Sequence, residues 1–244
     1  MTITYRGGGD TSNTTTTGVV TMSVTAVLDD YLIAVMACDV ASNTRTWPAS
    51  FTERGLITSA IDGGLIAWAD KIAGASEPGT YTISVSDSGN DLTIAVVAWS
   101  GVDTTTPRDV TPTASASSPA STASPWNCTA PGLATGTAGR ALIWIGGVDN
   151  ALVGAVTSAV PTASPAAWTE RIDASNGAWV NLAICDCTDT AGTHTTSVTG
   201  VQTLSGNGGA MAFLIALRAA TAGASFIASK PFMLRQAVNR ASTY

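Results

Sequence analysis

Four stretches of this chain run apolar with hardly a polar break: residues 31–38 (YLIAVMAC), 92–99 (LTIAVVAW), 141–145 (ALIWI) and 211–217 (MAFLIAL). The first has Asp on both sides and is too short and uncapped for a helix, so it reads as a strand. Residues 19–25 (VVTMSVT) and 81–85 (YTISV) alternate instead, the pattern of half-buried strands. Strand side chains point alternately to the two faces of a sheet, so a strand apolar throughout needs cover on both. Interspersed Ala thins one side of these runs. What remains predicts central strands with something packed outside them, either the other half of the chain or a neighbouring subunit.

The order of elements is written twice. WPASFTER at 47–54 returns as SPAAWTER at 164–171. Around it, 141–145 answers 31–38, WVNLAI at 179–184 answers LIAWAD at 65–70, GTHTTSV at 192–198 answers GTYTISV at 79–85, and 211–217 answers 92–99. Five elements in the same order predict an all-β, antiparallel β-sandwich, jelly-roll-like, built from two pseudo-repeated halves. One sandwich per half and a single larger one interleaving both fit the pattern equally. In each FTER or WTER element the aromatic is expected to anchor the sandwich and Glu-Arg to face out.

The same pattern sets the boundaries. Residues 1–17, rich in Gly and Thr, read as an N-terminal arm or loosely held first strand, 18–103 as the first half, and 104–125 as a Ser/Thr/Pro-rich linker. Residues 126–222 form the second half, and 223–244 have no counterpart in the first. That last stretch is apolar and basic. It reads as one more strand or as a tail docking on another subunit by strand addition, through Phe226, Lys230, Phe232, Met233, Arg235 and Arg240.

Composition narrows the class. Only 11% of residues are charged, against roughly 25% in ordinary globular domains, and Thr, Ser, Ala and Gly fill the difference. Such a chain is either soluble through its hydroxyls or covered by copies of itself or other subunits. No apolar run reaches the roughly 20 residues of a spanning helix, and no signal-peptide pattern opens the sequence, so membrane and secretory readings are set aside. The net charge of −6 is uneven, because no acidic residue follows Asp189 while Arg218, Lys230, Arg235 and Arg240 do. This suits docking to an acidic neighbour and argues against nucleic acid. Cys38, Cys128, Cys185 and Cys187 match no zinc spacing and read as buried free thiols in a reducing compartment.

Candidate chemistry is thin. The one histidine, His194, occupies the slot of Tyr81 in the other half and reads as a strand position. Glu53 and Glu170 recur, but each is followed by Arg and reads as a solvated face. Asp87, Asn90 and Asp91 lack the spacing of a calcium loop and read as a turn. No nucleophile elbow, Walker loop or dinucleotide fingerprint occurs, so the expectation is no enzyme, no metal and no cofactor. Of seven tryptophans, Trp68, Trp99, Trp144 and Trp179 sit inside predicted strands. Trp47, Trp126 and Trp168 are left as candidates for stacking on sugars.

DYLIAV at 30–35, EPGTYT at 77–82, SGVDTTTPRD at 100–109 and PAAWT at 165–169 carry a family likeness. In these motifs the chain resembles β-sandwich structural proteins of tailed bacteriophages over most of residues 18–220. The resemblance implies a virion component assembled in the bacterial host cytoplasm. A capsid decoration (accessory or cement) protein is the leading reading, and a tail-associated carbohydrate- or receptor-binding module the alternative. Its partners would be the major capsid protein or tail subunits and copies of itself. It implies no catalytic residue.

Overall fold

The apolar runs become the inner strands of two sheets that cover each other. A computed structural model describes residues 1–221 except 14–15, 41–43, 60–62, 87–90, 118–125, 134–135, 137–138, 151–156, 159–160, 162–166, 176–179, 190–194 and 204–207. The first half holds β1 (Thr4–Asn13), β2 (Thr17–Thr21), β3 (Tyr31–Cys38), β4 (Arg45–Thr46), β5 (Thr52–Thr58), β6 (Leu65–Ile72), β7 (Thr80–Val85) and β8 (Leu92–Ser100). The second holds β9 (Thr113–Ser117), β10 (Trp126–Ala130), β11 (Arg140–Asn150), β12 (Thr157–Ser158), β13 (Thr169–Ser175), β14 (Val180–Asp189), β15 (Val198–Thr203) and β16 (Gly208–Leu217). The described residues contain no helix, and the strand pairings are antiparallel.

Each half is a two-sheet sandwich. In the first, a five-stranded sheet β1-β8-β3-β6-β5 packs on a three-stranded sheet β2-β7-β4; in the second, β9-β16-β11-β14-β13 packs on β10-β15-β12. Strand orders 1-8-3-6 and 2-7-4 are those of a jelly roll, with the fifth strand added to the larger sheet. Each strand of one half has its counterpart eight places later. The halves meet through their larger sheets, β1 over β13, β8 over β14, β3 over β11, β6 over β16 and β5 over β9. Four layers result, with no interleaving of strands; among the described residues the isolated bridge Val102 to Ala219 joins the halves, and Arg108 to Leu217 extends the pairing beside β9 within the second.

Period-two alternation sorts the side chains into three cores. Tyr31, Ile33, Val35 and Ala37 of β3 face the seam between the halves, where they meet Ile143, Ile145, Leu182, Ile184, Met211 and Phe213. Leu32, Ala34, Met36 and Cys38 face the first outer sheet with Val20, Tyr81 and Ile83. Leu142 and Trp144 face the second with Cys128, Ala130 and Val198. The cover demanded by the doubly apolar strands is therefore the other half on one side and the small sheet on the other. Cys38, Cys128, Cys185 and Cys187 are free and buried, and Trp68, Trp99 and Trp144 are fully buried, as the sequence predicts.

Of the two readings of the Gly-rich start, the first strand is the one found: β1 pairs with β8 from Thr4 opposite Ser100 to Asn13 opposite Leu92. Its glycines make room for a crossing segment, since a Cβ on Gly9 would lie 2.1 Å from the Thr21 carbonyl oxygen. The linker is in part β9, whose small side chains (TASAS) suffice for an edge position beside β16. Among the described residues the strand expected at 192–198 begins at Val198; His194 lies outside them. The tail at 223–244 also lies outside them.

Across the seam Trp68 meets Phe213 edge to face, ring centroids 6.3 Å apart. Trp68→Ala is expected to lower stability by about 3–5 kcal/mol in urea unfolding, whereas Val19→Ala, at a site 53% exposed, should change it by less than about 0.5 kcal/mol. Equal effects would contradict the placement of the core at the seam.

Candidate functional site

The two FTER-like elements begin the same way in space. Phe51 N–H donates to the Pro48 carbonyl at 3.1 Å, closing a turn with Ser50 at φ 70°, the geometry of a type II turn; Ala167 repeats the positive value at φ 77°. In the strands that follow, the register slips between Glu53 and Gly55 and between Glu170 and Ile172. A bulge inserts one extra residue and re-aims its side chain. That residue is Arg54 in one copy and Arg171 in the other.

Both arginines therefore reach buried aspartates from the rim of the seam, Arg54 remaining 38% exposed and Arg171 27%, while Glu53 faces out as expected. Arg54 Nε donates to Asp70 Oδ1 at 2.6 Å, and Arg171 Nε to Asp186 Oδ1 at 2.8 Å. The two aspartates occupy the same ladder position, Asp70 opposite Ile33 and Asp186 opposite Ile143. Each is nearly inaccessible to solvent. A carboxylate there would cost several kcal/mol without a cation and donors, and each has both.

What completes each pair differs. Asp70 also takes the Tyr31 hydroxyl at 2.5 Å and the Arg108 guanidinium. Asp186 takes the Trp99 indole N–H from the other half at 2.8 Å, while the Tyr5 ring lies 4.4 Å from the Arg171 guanidinium carbon. A cleft opens beside each. The one at Asp70 has a volume of about 490 Å³ and is lined by Arg54, Trp68, Arg108, Asp109, Val110, Thr111 and Pro112. The one at Asp186, about 250 Å³, includes Tyr5, Trp99, Thr169 and Arg171 in its lining.

A second charge cluster locks the ends of the central strands. Asp30, preceding Tyr31, pairs with Arg6 at the bulge of β1. At the corresponding place Arg140, preceding Ala141, pairs with Asp109 at 3.2 Å, with the signs exchanged. Asp109 also accepts from Arg218 Nε at 3.3 Å. Gly136 is required there, because a Cβ on it would fall 1.8 Å from Arg140 Nη1 and 2.1 Å from Asp109 Oδ2. Glu77 does similar service in the first half, accepting from Lys71 Nζ at 2.7 Å, Gly74 N–H at 2.7 Å and Tyr81 hydroxyl at 3.0 Å.

The residues singled out from sequence scatter. Trp168 is buried in the second outer core, so it offers no ring face for stacking. Trp47 is half-buried against the first outer core and donates to Glu53 Oε2 at 2.7 Å. Trp126 lies on β10. Phe226, Lys230, Phe232, Met233, Arg235 and Arg240 lie outside the described residues. Asp70, Asp186, Asp109, Arg108 and Arg140 went unmarked, although a lone carboxylate inside an apolar strand (LIAWAD, ICDC) signals a buried partner. No group of metal-ligating side chains forms among the described residues. Compared with known protein families and with curated protein sequences, the chain has no match in either set.

The twin glutamates titrate in opposite directions. Arg45, bonded to Glu53 through Nε and Nη2 at 2.9 Å each, holds that carboxyl below its usual range, with Trp47 assisting against the opposing effect of burial. Burial, then nearby Asp173, pushes Glu170 up, and its buried Oε1 has no hydrogen-bond partner among the described residues. A lowered carboxyl stabilises the fold above its unfolded value and loses that stabilisation as pH falls through the folded one; a raised carboxyl does the reverse. Glu53→Gln should therefore destabilise at pH 7 by about 0.2–1 kcal/mol, and Glu170→Gln should stabilise. As pH falls the Glu170 difference should vanish first, once pH is below the ordinary carboxylate range, and the Glu53 difference only at lower pH, below its lowered folded value. Thermal melts against pH check this, and a common sign for the two variants would contradict it.

Proposed function

We infer that this chain is a structural component of a tailed-bacteriophage virion, an accessory subunit that decorates the capsid and docks on other virion proteins. The observation that carries this reading concerns the motifs of the family resemblance. Of their four carboxylates, Asp30, Glu77 and Asp109 are tied into ion pairs that hold strand ends together and Asp103 accepts from the Thr105 and Thr106 N–H groups in a turn, so the shared residues serve the scaffold. Jelly rolls recur in viral capsid and lectin domains, and the fold alone assigns neither role.

The matching strand orders, bulges and Arg–Asp pairs support an origin in two pseudo-repeated halves. Such a body presents an outer surface of small sheets and loops, with the apolar core and the buried carboxylates used up internally. Attachment then falls to segments outside the duplicated pattern, above all residues 223–244 with their Lys and Arg.

The test mixes the purified chain with particles of its own phage that lack it and counts bound copies by sedimentation and electron imaging. Saturable binding at symmetric capsid positions is expected. A version ending at Thr221 should keep the melting temperature and lose binding at least tenfold. Failure of the full chain to bind any such particle would end the capsid reading.

A further inference from the structure

We propose that the cleft beside Asp70 binds a carboxylated sugar of the hexuronate type. The case starts from a surplus of donors. Both Asp70 oxygens are taken, by Arg54 on one side and by Tyr31 and Arg108 on the other. Asp109, also on the wall, has its oxygens bonded to Arg140 and Arg218. Arg54 donates through Nε and Arg108 through Nη1, while each guanidinium carries five donors in a planar fork. The remainder meets no acceptor among the described residues. The Trp68 indole N–H, buried beside Gly55, likewise has none. Of the residues lining this cleft, Arg54 and Arg108 are positive and Asp109 alone is negative, on a chain of net charge −6. The cleft's complement is an anion, and a planar fork matches a carboxylate.

Size selects the rest of the ligand. A cavity of about 490 Å³ falls among small-molecule sites, and one carboxylate side chain would leave most of it empty. A pyranose ring fills it, with Val110 and Pro112 offering apolar surface to the C–H groups and the exposed Thr111 hydroxyl at the mouth. The related cleft beside Asp186 serves as an internal comparison. There the position of Arg108 is held by Tyr5, stacked on Arg171, and the Trp99 N–H is already bonded. Of these two clefts, the one beside Asp70 combines two guanidinium groups with open volume. This activity is independent of where the chain sits in a particle.

The experiment is an NMR and calorimetric titration of the full chain with sodium glucuronate, with glucose and a Glu-rich peptide at matched ionic strength. Saturable glucuronate binding is expected, at least tenfold tighter than glucose, with shifts confined to residues 54, 68 and 108–112. Arg108→Gln and Thr111→Glu should each weaken it at least tenfold. Thr111 is exposed, so Thr111→Glu keeps the melting temperature and the test stands even if Arg108→Gln unfolds. Silence toward glucuronate, equal binding of glucose, preference for the acidic peptide, or unchanged binding by Thr111→Glu would each overturn the proposal.

Discussion

A sheet that is apolar on both faces cannot stand at the surface of a sandwich, and this constraint organises the whole molecule. Strands β3, β8, β11 and β16 bury nearly every described side chain. Each five-stranded sheet therefore needs two neighbours, while its own three-stranded partner supplies only one. Facing the two large sheets to each other meets both needs at once. The arrangement has the logic of a two-fold dimer interface, in which like surfaces meet, here between two sheets of the same strand order within a single chain. It departs from symmetry where side chains must interlock. Trp68 and Phe213 fill one side of the seam, and the places related to them hold Ile184 and Ala95.

Burying that seam forces an electrostatic solution at its rim. Asp70 and Asp186 lie on strands whose other seam-facing residues are apolar, and each is met by an arginine that a bulge turns inward. Truncating one partner of such a pair strands a charge in a low-dielectric site, so the pairs act together with the apolar contacts in fixing register. The pair at the strand ends makes the point differently. Arg6 with Asp30 and Asp109 with Arg140 carry opposite signs at related places, so what is retained is neutrality of the pair.

Much of this was legible from residues alone. The eight-residue run at 31–38 appears as β3 with those same bounds, and the doubly apolar pattern pointed to cover on two sides. The Gly-rich start left arm and first strand both open because glycine signals both a flexible arm and a close backbone crossing, and the neighbour at Thr21 distinguishes them. The aspartate partners of Arg54 and Arg171 were hidden because Glu-Arg reads as one solvated charged pair, and the bulge that re-aims each arginine leaves little sequence trace. Asp70 and Asp186 were readable in principle as carboxylates inside apolar strands. Their partner Arg108 was not, since it reaches the site from a stretch that reads as linker.

The central claim is that the two halves are each other's missing wall. Expressing residues 1–103 and 104–244 separately, then mixing them, tests it directly by light scattering and circular dichroism. Each fragment alone is expected to self-associate or remain unfolded, and the mixture to give a one-to-one complex with the spectrum of the intact chain. Two folded, monomeric fragments with no affinity for each other would contradict the account.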